Sequence, residues 1–199
     1  MSTQPVPVLT SQEYLTRERR AELKSEFYRG EMFAMAGASR EHNLIVANLV
    51  GELRQALKQS KCEVYPSDMR VKVSATGLYT YPDVTIVCGK AEFEDSEFDT
   101  LLNPTILVEV LSNSTEGYDR GIKAAQYRKI DSLQHHVLVS QQRISVETYS
   151  RSENGNWMLN EISRLADSFR LSTLDISIPL GEVYRNITFT EPDLEAGSE

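Results

Sequence analysis

The run TILVEVLS, residues 105 to 112, is apolar and β-branched except for one glutamate, Glu109, near its centre. A run of this length fits a strand covered on both faces. A lone ionised carboxylate in such a place costs several kcal/mol unless something compensates it. A second acid, Asp83, sits in YPDVTIV, where strand alternation puts it on one face with Thr85 and Val87; Glu109 shares its face with Leu107 and Leu111. If these strands are aligned neighbours, two like charges meet in a poorly solvated place. Either one carboxyl then takes up a proton or a cation lies between them. A hard divalent ion, Mg²⁺ or Mn²⁺, is the economical answer, because it favours one or two carboxylates completed by carbonyls, waters and phosphate oxygens. Asp83, Glu109 and the main-chain carbonyl of Val110 are the expected ligands.

A cation of the chain's own follows. Asp119, Lys123, Gln126, Tyr127 and Ile130 recur at i, i+4, i+7, i+8 and i+11, one face of a helix. The bland reading is an exposed Asp119 to Lys123 pair, worth a few tenths of a kcal/mol. Tyr127 and Ile130 place the same stripe against the core, which brings Lys123 toward the strand ends that carry the acids.

The elements that must position these groups can be read from pattern. TSQEYLTRERRAELKSEFYRGEMFAMAG suggests a short helix capped near Thr10 or Ser11, then a hairpin turning at Arg29-Gly30. Ser39 can cap a helix over about 40 to 58, in which Val46, Leu49, Val50, Leu53 and Leu57 form an apolar stripe. CEVYPSDMRVKVS and YPDVTIVCG read as strands joined by the polar turn ATGLYT, and TILVEVLS is a third. DRGIKAAQYRKI is the second helix. HHVLVS and ISVETYS form a hairpin around QQR, followed by strand-like WMLNEIS and LDISIPL. The expected fold is a mixed α/β sheet in the order helix, three strands, helix, strand, decorated at both ends. Residues 1–190 are expected to make one domain and 191–199 a disordered acidic tail.

The chain has 199 residues and a net charge of −8, which on its face argues against a phosphate-rich partner. The surplus is local: KAEFEDSEFDT (90 to 100) and EPDLEAGSE (191 to 199) carry all of it, and both read as solvated segments. No apolar stretch would span a membrane, and the N-terminus lacks the basic start and apolar segment of a secretory signal, so a cytoplasmic location is expected. Cys62 and Cys88 have neither CxxC nor Cys/His spacing and read as reduced packing residues.

PD in YPDVTIV, EVLS in TILVEVLS and D-x-x-x-K-x-x-x-Y in DRGIKAAQY together resemble the PD-(D/E)XK nuclease superfamily, and more closely the Uma-type family of bacterial restriction endonuclease-like proteins. The resemblance runs from EYL to VETYS and includes FYRGEMFAMAGAS followed by His42. It implies a restriction endonuclease-like core, a divalent metal on Asp83 and Glu109, and hydrolysis of nucleic-acid phosphodiesters, with DNA the expected substrate and a homodimer the expected form. One position departs from the pattern: Leu111 stands where the superfamily has lysine. The resemblance carries that lysine's role to Lys123, which could orient the attacking water or stabilise charge on phosphorus, with Asp119 holding it and Gln126 near water or phosphate. Leu111 also motivates a second reading, a nucleic-acid-binding or protein-interaction domain that kept the fold and lost turnover.

Other residues invite blander roles. Glu41 suits the dipole of its helix's first turn. Glu26, Glu31 and His42 match family positions, but capping or internal hydrogen bonding is the first expectation for each. His135 and His136 form no metal-binding spacing, and Trp157 reads as core. Arg40, Lys58, Arg70, Lys72, Arg120 and Arg128 are scattered bases that could face phosphates.

Overall fold

The protein is described over residues 8–189 in a computed structural model. Thr10 opens α1 (Ser11–Glu18) with a reciprocal cap, its hydroxyl accepting the Glu13 N–H while Glu13 Oε2 accepts the Thr10 N–H. A hairpin follows, β1 (Ser25–Tyr28) and β2 (Glu31–Ala34), turning at Arg29 and Gly30 as expected. Both turn residues have positive φ, 51° and 86°, the two-residue turn that matches strand twist. Glycine is needed at the second, since a Cβ there would also collide with Val8.

Helix α2 (Arg40–Ala56) is capped by Ser39, whose hydroxyl accepts the His42 N–H, and buries Ile45, Leu49 and Leu53 along one stripe. Val46 and Val50 lie at the rim of that contact, so the apolar stripe is centred one residue away from the expected one. The remaining strands are β3 (Cys62–Pro66), β4 (Arg70–Val73), β5 (Leu78–Thr80), β6 (Val84–Cys88), β7 (Thr100–Leu101) and β8 (Ile106–Leu111). A helical segment then comprises α3 (Glu116–Tyr118), a wider turn over Asp119–Lys123, and α4 (Ala124–Tyr127). Strands β9 (His135–Ser140), β10 (Val146–Arg151), β11 (Trp157–Ile162), β12 (Ser168–Leu171) and β13 (Ile176–Pro179), and helix α5 (Leu180–Val183), complete the chain.

The central six-stranded sheet runs β11-β10-β9-β8-β6-β3; β8 and β9 are parallel and the other pairs antiparallel. One face packs on α2, α5 and the β12-β13 hairpin through Val84, Ile86, Ile106, Val108, Val110, Val137 and Val139. The other face, carrying Val87 and Leu107, packs on Val71, Val73, Leu78 and Leu101 of a five-stranded sheet, β2-β1-β5-β4-β7, and on Tyr127 of the helical segment. Strands β8 and β9 are buried on both faces, which is why they read as mainly apolar runs without strand alternation, Glu109 apart in β8 and the histidines apart in β9.

Several expectations need correction. CEVYPSDMRVKVS is two strands in different sheets, broken at Pro66 and Met69 where the Met69 N–H turns back to the Pro66 carbonyl. The supposed turn ATGLYT contains β5, and SFRL forms β12, which the reading omitted. The acidic 90–100 segment is not merely solvated: Asp95 and Asp99 clamp Arg19, Asp99 also pairs with Arg70, and Glu94 holds Lys72 and the Tyr79 hydroxyl. The Arg19 guanidinium holds the Asp99 carboxyl well below the usual range. The acidic tail lies outside the described residues.

Cys62 and Cys88 are not free packing thiols but a disulfide between directly opposed residues of β3 and β6. The sequence could not show it because their pairing depends on register between strands 26 residues apart. Loop-closure entropy assigns the bridge roughly 3 kcal/mol. Urea unfolding of Cys88→Ser, or of wild type with reductant, should show a loss of that order; identical midpoints would mean that the bridge does not constrain the unfolded chain.

His135 bonds Ser150 and Thr173, whereas His136 packs edge-on to Tyr127 and stacks on Tyr149 with neither ring nitrogen hydrogen-bonded. Burial pushes His136 down to about 3 from 6.5. The unfolded chain therefore binds this proton first, so stability is lost as pH falls below 6.5, by about 2 kcal/mol between pH 7 and 5. His136→Phe should lose less stability than wild type over that interval by about the same amount in urea titrations.

Candidate active site

Strand alignment brings the two acids together. β6 and β8 pair at Val84 and Val108, so Asp83 and Glu109 lie at the next step along the two strands, on the face away from α2. Asp83 Oδ2 accepts the Val110 N–H at 2.7 Å and lies 3.2 Å from His42 Nε2, which α2 supplies from its first turn. Because the N–H and C=O of one strand residue face the same side, the Val110 carbonyl lies on the β6 edge of β8, as its N–H does.

Glu109 is 4 % exposed and its Oε1 carries two partners, Lys123 Nζ at 3.0 Å and the Tyr127 hydroxyl at 2.5 Å. Lys123, equally buried, is also 3.1 Å from Glu26 Oε1 and 3.5 Å from Asp119 Oδ1. Within the helical segment the Ala124 N–H reaches back to the Asp119 carbonyl, a turn one residue wider than the α-helix between the acid and its lysine. Glu26 comes from the five-stranded sheet, its Oε1 accepting the Thr80 hydroxyl and Oε2 the Tyr118 hydroxyl.

Three carboxylates, Glu26, Glu109 and Asp119, thus surround one ammonium, with Asp83 beyond Glu109. Burial pushes Glu109 up to about 8; Lys123 pulls it back, while Asp119 and Asp83 add to the rise. Burial likewise raises Asp119. Burial opposes the charge on Lys123, but Glu109, Tyr127, Glu26 and Asp119 outweigh it and hold the ammonium well above its usual pKa.

The donor set suits a hard cation. Among the described residues, Glu109 Oε2 and Asp83 Oδ1 accept no hydrogen bond, each carboxylate having spent its other oxygen on the protein. Among the same residues no cluster of three or more His, Cys, Asp or Glu side chains is arranged to hold a metal ion. What the chain offers is therefore two carboxylates and a main-chain carbonyl, a set that Mg²⁺ or Mn²⁺ completes with water and phosphate oxygens.

Of the expected residues, Glu109, Lys123 and Asp119 meet directly, and Asp83 joins them through the strand pairing. Gln126 is buried, its amide donating to the Tyr28 hydroxyl. Glu41 pairs with Arg40, and Leu111 is a buried apolar residue. Glu26 makes the internal hydrogen bonds expected of it and Tyr127 lies in the core as expected; in addition both touch the catalytic candidates, Glu26 at Lys123 and Tyr127 at Glu109. A signal for Tyr127 existed in its i+4 spacing from Lys123, and Glu26 matches a family position in EFYRGE, but nothing in its local sequence points to Lys123. Arg70, Lys72 and Arg120, candidates for phosphate contact, are spent on Asp99, Glu94, and Glu116 with Glu147.

A sequence profile described as "Uma2: Putative restriction endonuclease" matches residues 11–181, which include every one of these groups. The chain belongs to the Uma2 family. Two uncharacterized proteins of Synechocystis sp. strain PCC 6803 are similar to this Uma2 chain: one is 33 % identical over 185 residues, 93 % of this chain and 96 % of that protein, the other 37 % over 155 residues, 78 % and 88 %. In fold it matches a crystal structure described as a putative nuclease belonging to DUF820 from Anabaena variabilis, with a TM-score of 0.71, 14 % identity, and coverage of 90 % of this chain and 98 % of that one. The mixed α/β, restriction endonuclease-like fold expected from the sequence is therefore the one this Uma2 protein has. No helix among its described residues is long and apolar enough to cross a membrane.

Proposed function

We propose that the protein is a metal-dependent endonuclease that hydrolyses phosphodiester bonds in DNA. The observation that carries this reading is the convergence of Lys123 on Glu109 at 3.0 Å, since that geometry supplies, from a helix, the cation that Leu111 cannot supply from the strand. Asp83, Glu109 and the Val110 carbonyl would hold Mg²⁺ or Mn²⁺. When bound, the ion lowers the pKa of water and polarises the phosphate. Lys123, fixed by Glu26 and Asp119, orients the attacking water and offsets charge gathering on the phosphoryl oxygens. Tyr127 and His42 hold Glu109 and Asp83 in place, which limits the reorganisation that the reaction demands.

Cutting both strands of a duplex calls for two sites, so we take the active form to be a homodimer; sedimentation giving only monomer at micromolar concentration would remove that part. A second reading, a nucleic-acid-binding or protein-interaction domain without turnover, is motivated by Leu111 at the motif position, and the internal pairing of Arg70, Lys72 and Arg120 favours the protein-interaction form of it. Supercoiled plasmid and single-stranded DNA, each with Mg²⁺ and with Mn²⁺, separate the two. Cleavage by wild type that disappears on EDTA addition supports the enzyme; DNA retention without cleavage, with metal bound, supports the binding domain.

A further inference from the structure

We infer that Glu26 is a positioning residue for Lys123, the counter-ion that keeps the ammonium in the site once Glu109 is committed to a cation. The inference rests on the nuclease reading above. Glu109 serves three claims on one carboxylate: Lys123 and Tyr127 at Oε1, and the proposed cation at Oε2. A divalent ion there draws charge from the carboxylate and weakens its hold on the lysine. Asp119 cannot compensate, because it is the more distant partner at 3.5 Å and sits on the same helical segment, so it would move with Lys123.

Glu26 has the properties the task needs. Its Oε1 lies 3.1 Å from Nζ, almost the distance of Glu109. It comes from a different sheet, and β1 is registered to β2 along its length and to β5 at Phe27 and Tyr79, beside the Thr80 that donates to it. Thr80 and Lys123 share its Oε1 and Tyr118 holds its Oε2, so both oxygens are already engaged within the protein. Lys123 is thereby tied to the five-stranded sheet as well as to Glu109 on β8, and the first tie is independent of the cation.

The test compares wild type with Glu26→Gln, Tyr118→Phe and, as control, Glu109→Gln. Three readouts are needed: plasmid cleavage, Mn²⁺ binding by calorimetry, and the buried lysine ammonium signal by ¹H–¹⁵N NMR with and without Mg²⁺. The expected result for Glu26→Gln is a kcat about 100-fold lower, with KM and Mn²⁺ affinity within about threefold of wild type, as for a misplaced acid–base group. The ammonium signal should survive Mg²⁺ in wild type and vanish on its addition in Glu26→Gln. Tyr118→Phe, which keeps the charge but frees Oε2, should fall between the two. Mn²⁺ affinity lost to the extent seen in Glu109→Gln would make Glu26 a ligand and overturn the inference, as would a wild-type rate or a signal that persists in the variant. Wild type that neither binds Mn²⁺ nor cuts DNA would take down the nuclease reading and this inference together.

Discussion

Replacing Glu109 by glutamine should abolish the proposed metal-dependent DNA cleavage, by at least about 1,000-fold in kcat, because it would remove an anionic ligand of the proposed cation. The same substitution should leave folding stability within about 1 kcal/mol of wild type. The reason is that the native carboxylate is already costly: burial raises its pKa to about 8, and Asp119 and Asp83 repel it. Glutamine keeps the shape and can still accept from Tyr127 and Lys123, while Lys123 retains Glu26 and Asp119. Activity and stability thus separate, as they do at a functional site and do not at a packing one. Cleavage assays beside urea titrations check both halves; a variant that cuts normally would remove Glu109 from the chemistry, and one that unfolds would make it structural.

Lys123→Met should do the opposite to stability. Three buried carboxylates, Glu26, Glu109 and Asp119, lose their shared cation, and removing one partner of a buried ionic cluster costs about 3 to 5 kcal/mol. The cost has a pH sign. Without the ammonium, burial holds the folded-state pKa values of Glu109 and Asp119 above their unfolded ones, so the folded protein retains protons that the unfolded chain releases. Stability is then fully present below the unfolded carboxyl pKa values and lost as pH rises. The deficit of Lys123→Met against wild type should therefore be larger at pH 8 than at pH 5, and Mg²⁺ should narrow it by supplying positive charge beside Glu109. Cleavage should fall at least about 100-fold, the usual contribution of a positioned proton-transfer or charge-stabilising group. A flat pH dependence of the deficit, measured by urea unfolding, would show that the carboxylates do not depend on Lys123.

Local pattern made much of the framework readable. Thr10, Ser39 and Arg29-Gly30 mark their caps and turn because capping and positive φ are decided within a few residues. The β8 and β9 runs mark central strands because both faces are covered. Other features escaped for the converse reason. Strands β4 and β5 belong to a sheet whose partners, β1 and β7, lie far away in sequence, so RVKV seemed to prolong CEVY and LYT seemed part of a turn. The acidic 90–100 segment looked like a solvated loop because its Arg19 and Arg70 partners lie on α1 and β4.

The candidate site divides in the same way. By itself the sequence determined the oddity of a carboxylate in an apolar strand and the helical spacing that pointed Lys123 toward it, since each is a matter of residue type and period, while the family and its mixed-sheet fold rested on the resemblance carried by YPDVTIV, TILVEVLS and DRGIKAAQY. Only the tertiary structure decided what surrounds the ammonium. Glu26 arrives from a separate sheet, Tyr127 turns from core edge to hydrogen-bond donor, His42 reaches Asp83 from the start of α2, and Cys62 meets Cys88 across two strands. Each of those contacts depends on strand register and on the packing of two sheets against one helical segment, and electrostatic interactions at 3 Å cannot be inferred from residues whose relative placement is fixed by elements dozens of positions apart.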